Sequence, residues 1–182
     1  MLKLKSRTVM VKIWSVLRAA VIFSLLTGFF VTQGSALVIK KSVEELTYEA
    51  DAILIGEVED IESRWNKERT LIYTYVSVSV TEYIKRILEI GEPKEITVKV
   101  PGGEVGDIGL KVSDTPEFRE GEEVFLFLRI EELPIFRIAG LFQGKYIIED
   151  GKAKNEVLER EIFLDIFIDQ IEEIMKKAKA SE

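Results

Sequence analysis

Between Tyr73 and Thr81 hydrophobic residues return at every second position: Val76, Val78 and Val80 fall on one side, Ser77, Ser79 and Thr81 on the other. A period of two predicts a strand with one buried and one wet face, here from Leu71 to about Ile84. Glu95 to Val100 repeats the pattern, with Ile96, Val98 and Val100 inward and Glu95, Thr97 and Lys99 outward. Upstream, Ala50 to Ile61 (ADAILIGEVEDI) is apolar and β-branched, and its inward phase slips by one residue at Gly56. A glycine at such a slip marks a bulge or bend, so a long, coiled first strand is expected, with the turn in residues 64 to 70. Glu123 to Ile130 (EVFLFLRI) is almost unbroken apolar. That is the pattern of a strand covered on both faces, and another element must lie over it. Ile135 to Leu141 supplies a fifth strand, and Lys145 to Glu149 continues or pairs with it before Asp150-Gly151, a two-residue hairpin signal.

Two segments carry helical signals instead. Ser42-Val43-Glu44-Glu45 has the spacing of a capping box, which opens a short helix over about residues 43 to 50. Leu164, Phe167, Ile168, Ile171, Ile174, Met175 and Ala178 recur at three- and four-residue intervals, predicting an amphipathic helix over about 162 to 179. Asp165 and Asp169 toward its start and Lys176, Lys177 and Lys179 at its end complement the helix dipole. This helix is the expected cover for the apolar strand. A kinked first strand, a long connection between the third and fourth strands, and a helix at each end predict a mainly β fold. Its expected form is a five-stranded OB-like barrel, a partly open Greek-key arrangement, capped by the short N-terminal helix and the C-terminal amphipathic helix.

The front of the chain reads differently. Residues 1 to 36 hold five cations and no anion, and a 13-residue apolar run from Ala19 to Val31 leads to the small residues Gly34-Ser35-Ala36. This is the layout of a secretory signal peptide cleaved after Ala36, with Met10 as a possible true start. The other reading is an uncleaved anchor over residues 19–31, but a membrane span needs about 20 apolar residues and Arg18 stops this run short. The expected product is a single domain, 37–182, secreted or held in the cell envelope. Touching the membrane would require the front segment to be retained.

The chain has 25 Lys and Arg against 32 Asp and Glu, so the part after residue 36 keeps 20 cations against all 32 anions, a net of -12. So acidic a body repels phosphate backbones, and no nucleic-acid partner is expected. The sequence has no Cys and no His. It therefore offers no disulfide framework, thiolate nucleophile, Ser-His-Asp triad or nitrogen–sulfur zinc site, and no cofactor is implied. Stability must come from packing alone, which a chain of this size supports. Abundant Ile, Glu and Lys with only two Asn and three Gln match the bias of proteins from hot environments.

Candidate chemistry is sparse. Four glycines fall within Pro101–Gly109 (PGGEVGDIG), where Gly102, Gly103, Glu104, Gly106 and Asp107 form either a recognition loop or a crossover that needs glycine for its geometry. The segment lacks a phosphate-loop pattern. Glu104, Asp107, Asp114 and Glu117 invite a calcium reading, but without EF-hand register they read as solvated loop carboxylates. Arg64 and Trp65 at the first hairpin, with Tyr73, Tyr75 and Tyr83 on the outward face of the second strand, offer aromatic surface for a sugar or protein. Packing beneath the terminal helices is the other reading for Tyr83. Gln143-Gly144-Lys145 forms a bend in which Gln143 could face the glycine segment.

Three stretches carry a family resemblance: Ala50-Asp51-Ala52-Ile53-Leu54-Ile55-Gly56-Glu57-Val58, the Tyr-Thr-Tyr-Val-Ser-Val run, and Gly121-Glu122-Glu123-Val124-Phe125-Leu126-Phe127-Leu128. They resemble the netrin-like modules, the superfamily of the tissue inhibitors of metalloproteinases, and more closely their cysteine-free secreted relatives in archaea and bacteria. The resemblance covers most of residues 43 to 175 and implies an OB-like barrel with helices from both termini packed together on it. The inhibitors chelate zinc through an N-terminal cysteine, which this chain lacks, so no catalytic or metal residue carries over. The expected function is a non-enzymatic binding module for an extracytoplasmic protein or glycan. A protease-inhibitor-like module and a carboxylate-based hydrolase of envelope polymers stand as alternatives. Against the hydrolase is the absence of any nucleophile motif such as GxSxG.

Overall fold

The computed structural model describes residues 39–87, 91–155 and 157–180. The expected signal segment, 1 to 36, lies outside them. Helix α1 (Val43–Glu49) opens on both halves of the expected capping box: the Ser42 hydroxyl accepts from the Glu45 amide at 3.1 Å, and Glu45 Oε2 accepts from the Ser42 amide at 2.7 Å. These bonds to Ser42 hold the Glu45 carboxyl below its usual pKa. At the other end Lys85 Nζ donates to the Thr47 and Ala50 carbonyls, which the helix leaves unpaired. Burial pushes the Lys85 ammonium below its ordinary pKa.

Strands β1 (Ala52–Trp65) and β2 (Ile72–Lys85) form a long antiparallel pair. The predicted slip at Gly56 is a register shift between Ile55 and Gly56, and a Cβ there would press on the Ser79 carbonyl oxygen. Asn66 organises the turn, its Oδ1 accepting from the Thr70 and Leu71 amides. Next come β3 (Glu95–Pro101), the short β4 (Gly103–Val105) and β5 (Ile108–Leu110), then β6 (Glu123–Glu132) and β7 (Ile135–Ile138). A 3-10 turn (Leu141–Gly144) leads to β8 (Lys145–Glu149), β9 (Lys152–Asn155) and β10 (Arg160–Phe163), and helix α2 (Leu164–Ala180) follows.

Strand neighbours run β1-β2-β3-β7-β6-β8-β9-β10, and β6 also pairs with β1 from Ala52↔Leu128 to Glu57↔Glu123. The path β1-β2-β3-β7-β6 thus returns to its first strand. Of its pairings only β3–β7 is parallel. Strand β6 explains why its sequence is apolar on both faces. Val124, Leu126 and Leu128 enter one cluster with Val76, Val98 and Phe136, while Phe125 and Phe127 enter another with Leu46, Tyr146, Phe167 and Ile171. Helix α2 is the expected cover: Phe167 sits 4.9 Å from both the Phe125 and Tyr146 rings, centroid to centroid. Tilted aromatic contacts of this kind add to the burial term.

The sequence-based expectation falls short in several places. Among the described residues there are ten strands where five were expected: β8 stands as a strand of its own, and β4, β5, β9 and β10 have three or four residues each and show no readable period. Strand β1 continues to Trp65, so the turn begins at Asn66. Strand β7 stops at Ile138, before Gly140 and Leu141 take positive φ of 68° and 60°. Strand β8 does not continue β7; it pairs with β6 and with β9 across the predicted Asp150-Gly151 turn. Helix α2 starts at Leu164, since Ile162 and Phe163 belong to β10. Tyr83 does not share the face of Tyr73 and Tyr75, nor lie beneath the helices. It packs on the β6 cluster containing Val76, and its hydroxyl donates to the Pro93 carbonyl at 2.8 Å. Among the described residues no helix is long and apolar enough to cross a membrane.

Candidate functional site

The glycine segment is a hairpin. Gly103↔Leu110, Glu104↔Gly109 and Val105↔Ile108 pair across a turn at Gly106 and Asp107. Gly102 and Gly103 have φ of 102° and 125°, backbone that disfavours any side chain, and they fold the hairpin back over the end of the β1–β2–β3 sheet. In that end row Ser63, Thr74 and Val100 stand side by side, in phase with inward-facing Val76 and Val98. Ser63 Oγ and Thr74 Oγ1 are 2.9 Å apart, and Thr74 Oγ1 donates to the Gly102 carbonyl at 2.8 Å. A Cβ on Gly103 would overlap both hydroxyl oxygens. Glycine is required here by close approach as well as by φ.

Beside the hairpin lies a groove of about 610 Å³. The hairpin forms one wall and Thr115–Phe118 the other; Ile61, Val100 and Phe118 make the floor. All three pack against the inner cluster, so the groove opens onto the end of that core. Thr115 Oγ1 is shielded from solvent yet has no hydrogen-bond partner among the described residues. A hydroxyl left this way costs about 1–3 kcal/mol until something satisfies it. The ionisable side chains of the lining are Glu104, Glu117 and Lys111.

The far side of the Thr115–Glu117 wall borders a second hollow of about 220 Å³. There Lys145 Nζ lies 2.5 Å from Glu122 Oε2, donates to the Glu117 carbonyl at 2.6 Å, and stands 4.6 Å from the centre of the Phe118 ring. This pair ties the connection after β5 to β8.

The residues singled out in the sequence separate into three groups. Gly102, Gly103 and Glu104 line the groove, while Gly106 and Asp107 sit exposed at the hairpin tip. Arg64, Tyr73 and Tyr75 lie on the opposite, outward face of β1 and β2, with half-buried Trp65 at the strand end. Their rings are already covered: the Arg64 guanidinium carbon is 3.7 Å from the centre of the Tyr75 ring, and Lys99 Nζ is 4.3 Å from that of Tyr73. Lys99 is also bonded to Glu131 at 2.5 Å, which raises its pKa. Gln143 does not face the hairpin; it is buried, and its Oε1 accepts from the Lys41 amide at 2.7 Å. Ser63, Thr74, Thr115 and Phe118 were not singled out. Thr74 was findable, as a polar residue two before Val76 in the inward phase. Among the described residues Glu104, Asp107, Asp114 and Glu117 form no cluster of three or more metal-binding side chains. Compared with protein-family models and with curated proteins, the chain gives no match.

Proposed function

We propose that this chain is an extracytoplasmic, non-enzymatic binding module built on an OB-like barrel, exported by residues 1–36, and that it holds its ligand in the groove beside the β4–β5 hairpin. The barrel reading is supported by the five-strand path β1-β2-β3-β7-β6 returning to β1 with one parallel pair. The observation that carries the binding reading is the groove: a concavity open to the core, floored by apolar side chains and bordered by Ser63, Thr74, Glu104 and Lys111. Apolar surface with a few convergent polar groups is the ordinary composition of a ligand site.

Gly109 provides the test. A Cβ there has the flexible Glu104 side chain as its nearest neighbour, at 3.5 Å, and Gly109 lines the groove, so Gly109→Phe adds bulk at the groove with ordinary contact at its Cβ. The purified protein, wild type and Gly109→Phe, is immobilised and exposed to envelope proteins and envelope polysaccharide. Capture by the wild type that the variant loses, at equal thermal midpoint, supports the reading. Equal capture by both refutes it.

A further inference from the structure

The groove has a chemistry that narrows its ligand. Strand β1 is paired on both sides only over its first half: β6 accompanies it from Ala52 to Glu57, and Val58 exchanges bonds with Gly121 and Glu122. From Asp60 to Trp65 its strand partners are all on β2, so no described strand occupies the other side. An unpaired strand side is a template for main-chain hydrogen bonding by another extended chain. Five residue steps at about 3.3 Å give a track of roughly 17 Å, the reach of five or six extended residues.

Two further observations point the same way. Ile61 lies on this half of β1 and, with Val100 and Phe118, floors the groove, offering a seat for one apolar side chain. Glu104 and Glu117 outnumber Lys111 in the lining, on a body whose net charge is -12, so a basic or neutral ligand is favoured over an acidic one. A sugar is poorly served. Phe118 is the only aromatic residue in the lining, and the Lys145 ammonium stands against its ring; the Tyr73 and Tyr75 rings on the other face carry Lys99 and Arg64.

We infer that the groove takes an extended, neutral or basic segment of another polypeptide, laid beside residues 60–65 of β1 with one apolar side chain on Ile61, Val100 and Phe118. This rests on the groove being the binding site. Random displayed peptides of about nine residues, long enough to fill the track, are selected on the purified protein with counter-selection on Gly109→Phe. The expected winners are β-branched, carry an excess of Lys or Arg, and share one large apolar position. Their affinity falls at least about tenfold in Gly109→Phe. Glu104→Lys with Glu117→Lys turns the selection toward acidic peptides. Enrichment of acidic peptides by the wild type, or none above the Gly109→Phe background, overturns the inference. Cello- or chito-oligosaccharides that bind the wild type and not Gly109→Phe would also overturn it while leaving the groove as the binding site. Binding indifferent to Gly109→Phe in every arm removes both.

Discussion

Replacing Lys145 by methionine asks how the long connection between β5 and β6 is held down. The Lys145 and Glu122 side chains are 7% and 9% exposed, and their charged atoms are 2.5 Å apart. On the surface such a pair would contribute about 1 kcal/mol or less, because water competes for both ends. Here water is largely absent. Lys145→Met leaves the Glu122 carboxylate facing a thioether and takes a donor from the Glu117 carbonyl. Breaking a buried pair from one side costs about 3–5 kcal/mol, and Glu122→Leu falls in the same range by stranding the ammonium. Replacing both removes the desolvation cost along with the attraction. The double variant then loses chiefly the Glu117 bond, about 1 kcal/mol, and part of that is offset by apolar contact with Phe118. Guanidinium unfolding followed by circular dichroism gives the four free energies of the cycle. Two single losses of about 3–5 kcal/mol against about 1 for the double put the expected coupling at about 5 kcal/mol or more, above the roughly 0.5–3 kcal/mol usual for contacting residues. Single variants that each lose less than about 1 kcal/mol, with an additive double, would show that the pair is solvated and the reasoning wrong.

Gly103→Ala combines positive φ with overlap on the Ser63 and Thr74 hydroxyls and should cost about 2–4 kcal/mol, whereas Gly106→Ala, with open space around it, should cost about 1 kcal/mol; equal midpoints in urea would contradict the packed hairpin. Phe167→Ala removes a fully buried ring from between Phe125 and Tyr146, with an expected loss of about 3–5 kcal/mol; a loss below about 1 kcal/mol would mean α2 is not the roof of β6. Burial raises the Tyr146 phenol above its ordinary 10.0, partly offset by the Arg160 hydrogen bond. The folded state therefore keeps this proton after the unfolded chain has lost it, and stability falls as pH rises above 10. Tyr146→Phe should flatten that alkaline limb of the stability curve, and an unchanged slope would count against it. Lys85, whose pKa is lowered, works in the opposite direction, gaining stability as pH rises toward 10.5. Full-length chain expressed in a secreting host should yield a product starting at Leu37, checked by intact mass; a product retaining residues 19–31 would favour the anchor.

What the sequence revealed follows the length of each periodic run. Strands β2, β3 and β6 were readable because seven to fourteen residues of alternation or unbroken apolar character leave few other options, and the cap at Ser42 because two side chains declare it. Strands β4, β5 and β10 were invisible for the opposite reason: three or four residues cannot establish a period, and their pairing is decided by turns and by the sheet they dock on; β9 was implied only through the Asp150-Gly151 turn that pairs it with β8. Helix α2 was placed two residues early: its apolar stripe begins at Leu164, whereas Ile162 falls in phase with Asp169 and Lys176 and its backbone, in β10, pairs with Ala153.

The site divides along the same line. The glycines drew attention for their backbone freedom, and they do shape the hairpin, but the groove also depends on residues that break the inward phase. Thr74 continues the row of Val76 and Val78 with a hydroxyl, opposite Ser63 and beside Val100, at the end of the inner cluster. A buried hydroxyl row at the end of a hydrophobic one is unfavourable unless something bonds to it. The hairpin supplies that through the Gly102 carbonyl, and for Thr115 no such group is present among the described residues. A polar residue in the inward phase near a strand end, followed downstream by paired glycines, is therefore the pattern by which this groove could be found from sequence: the first needs a partner, and the second lets one approach.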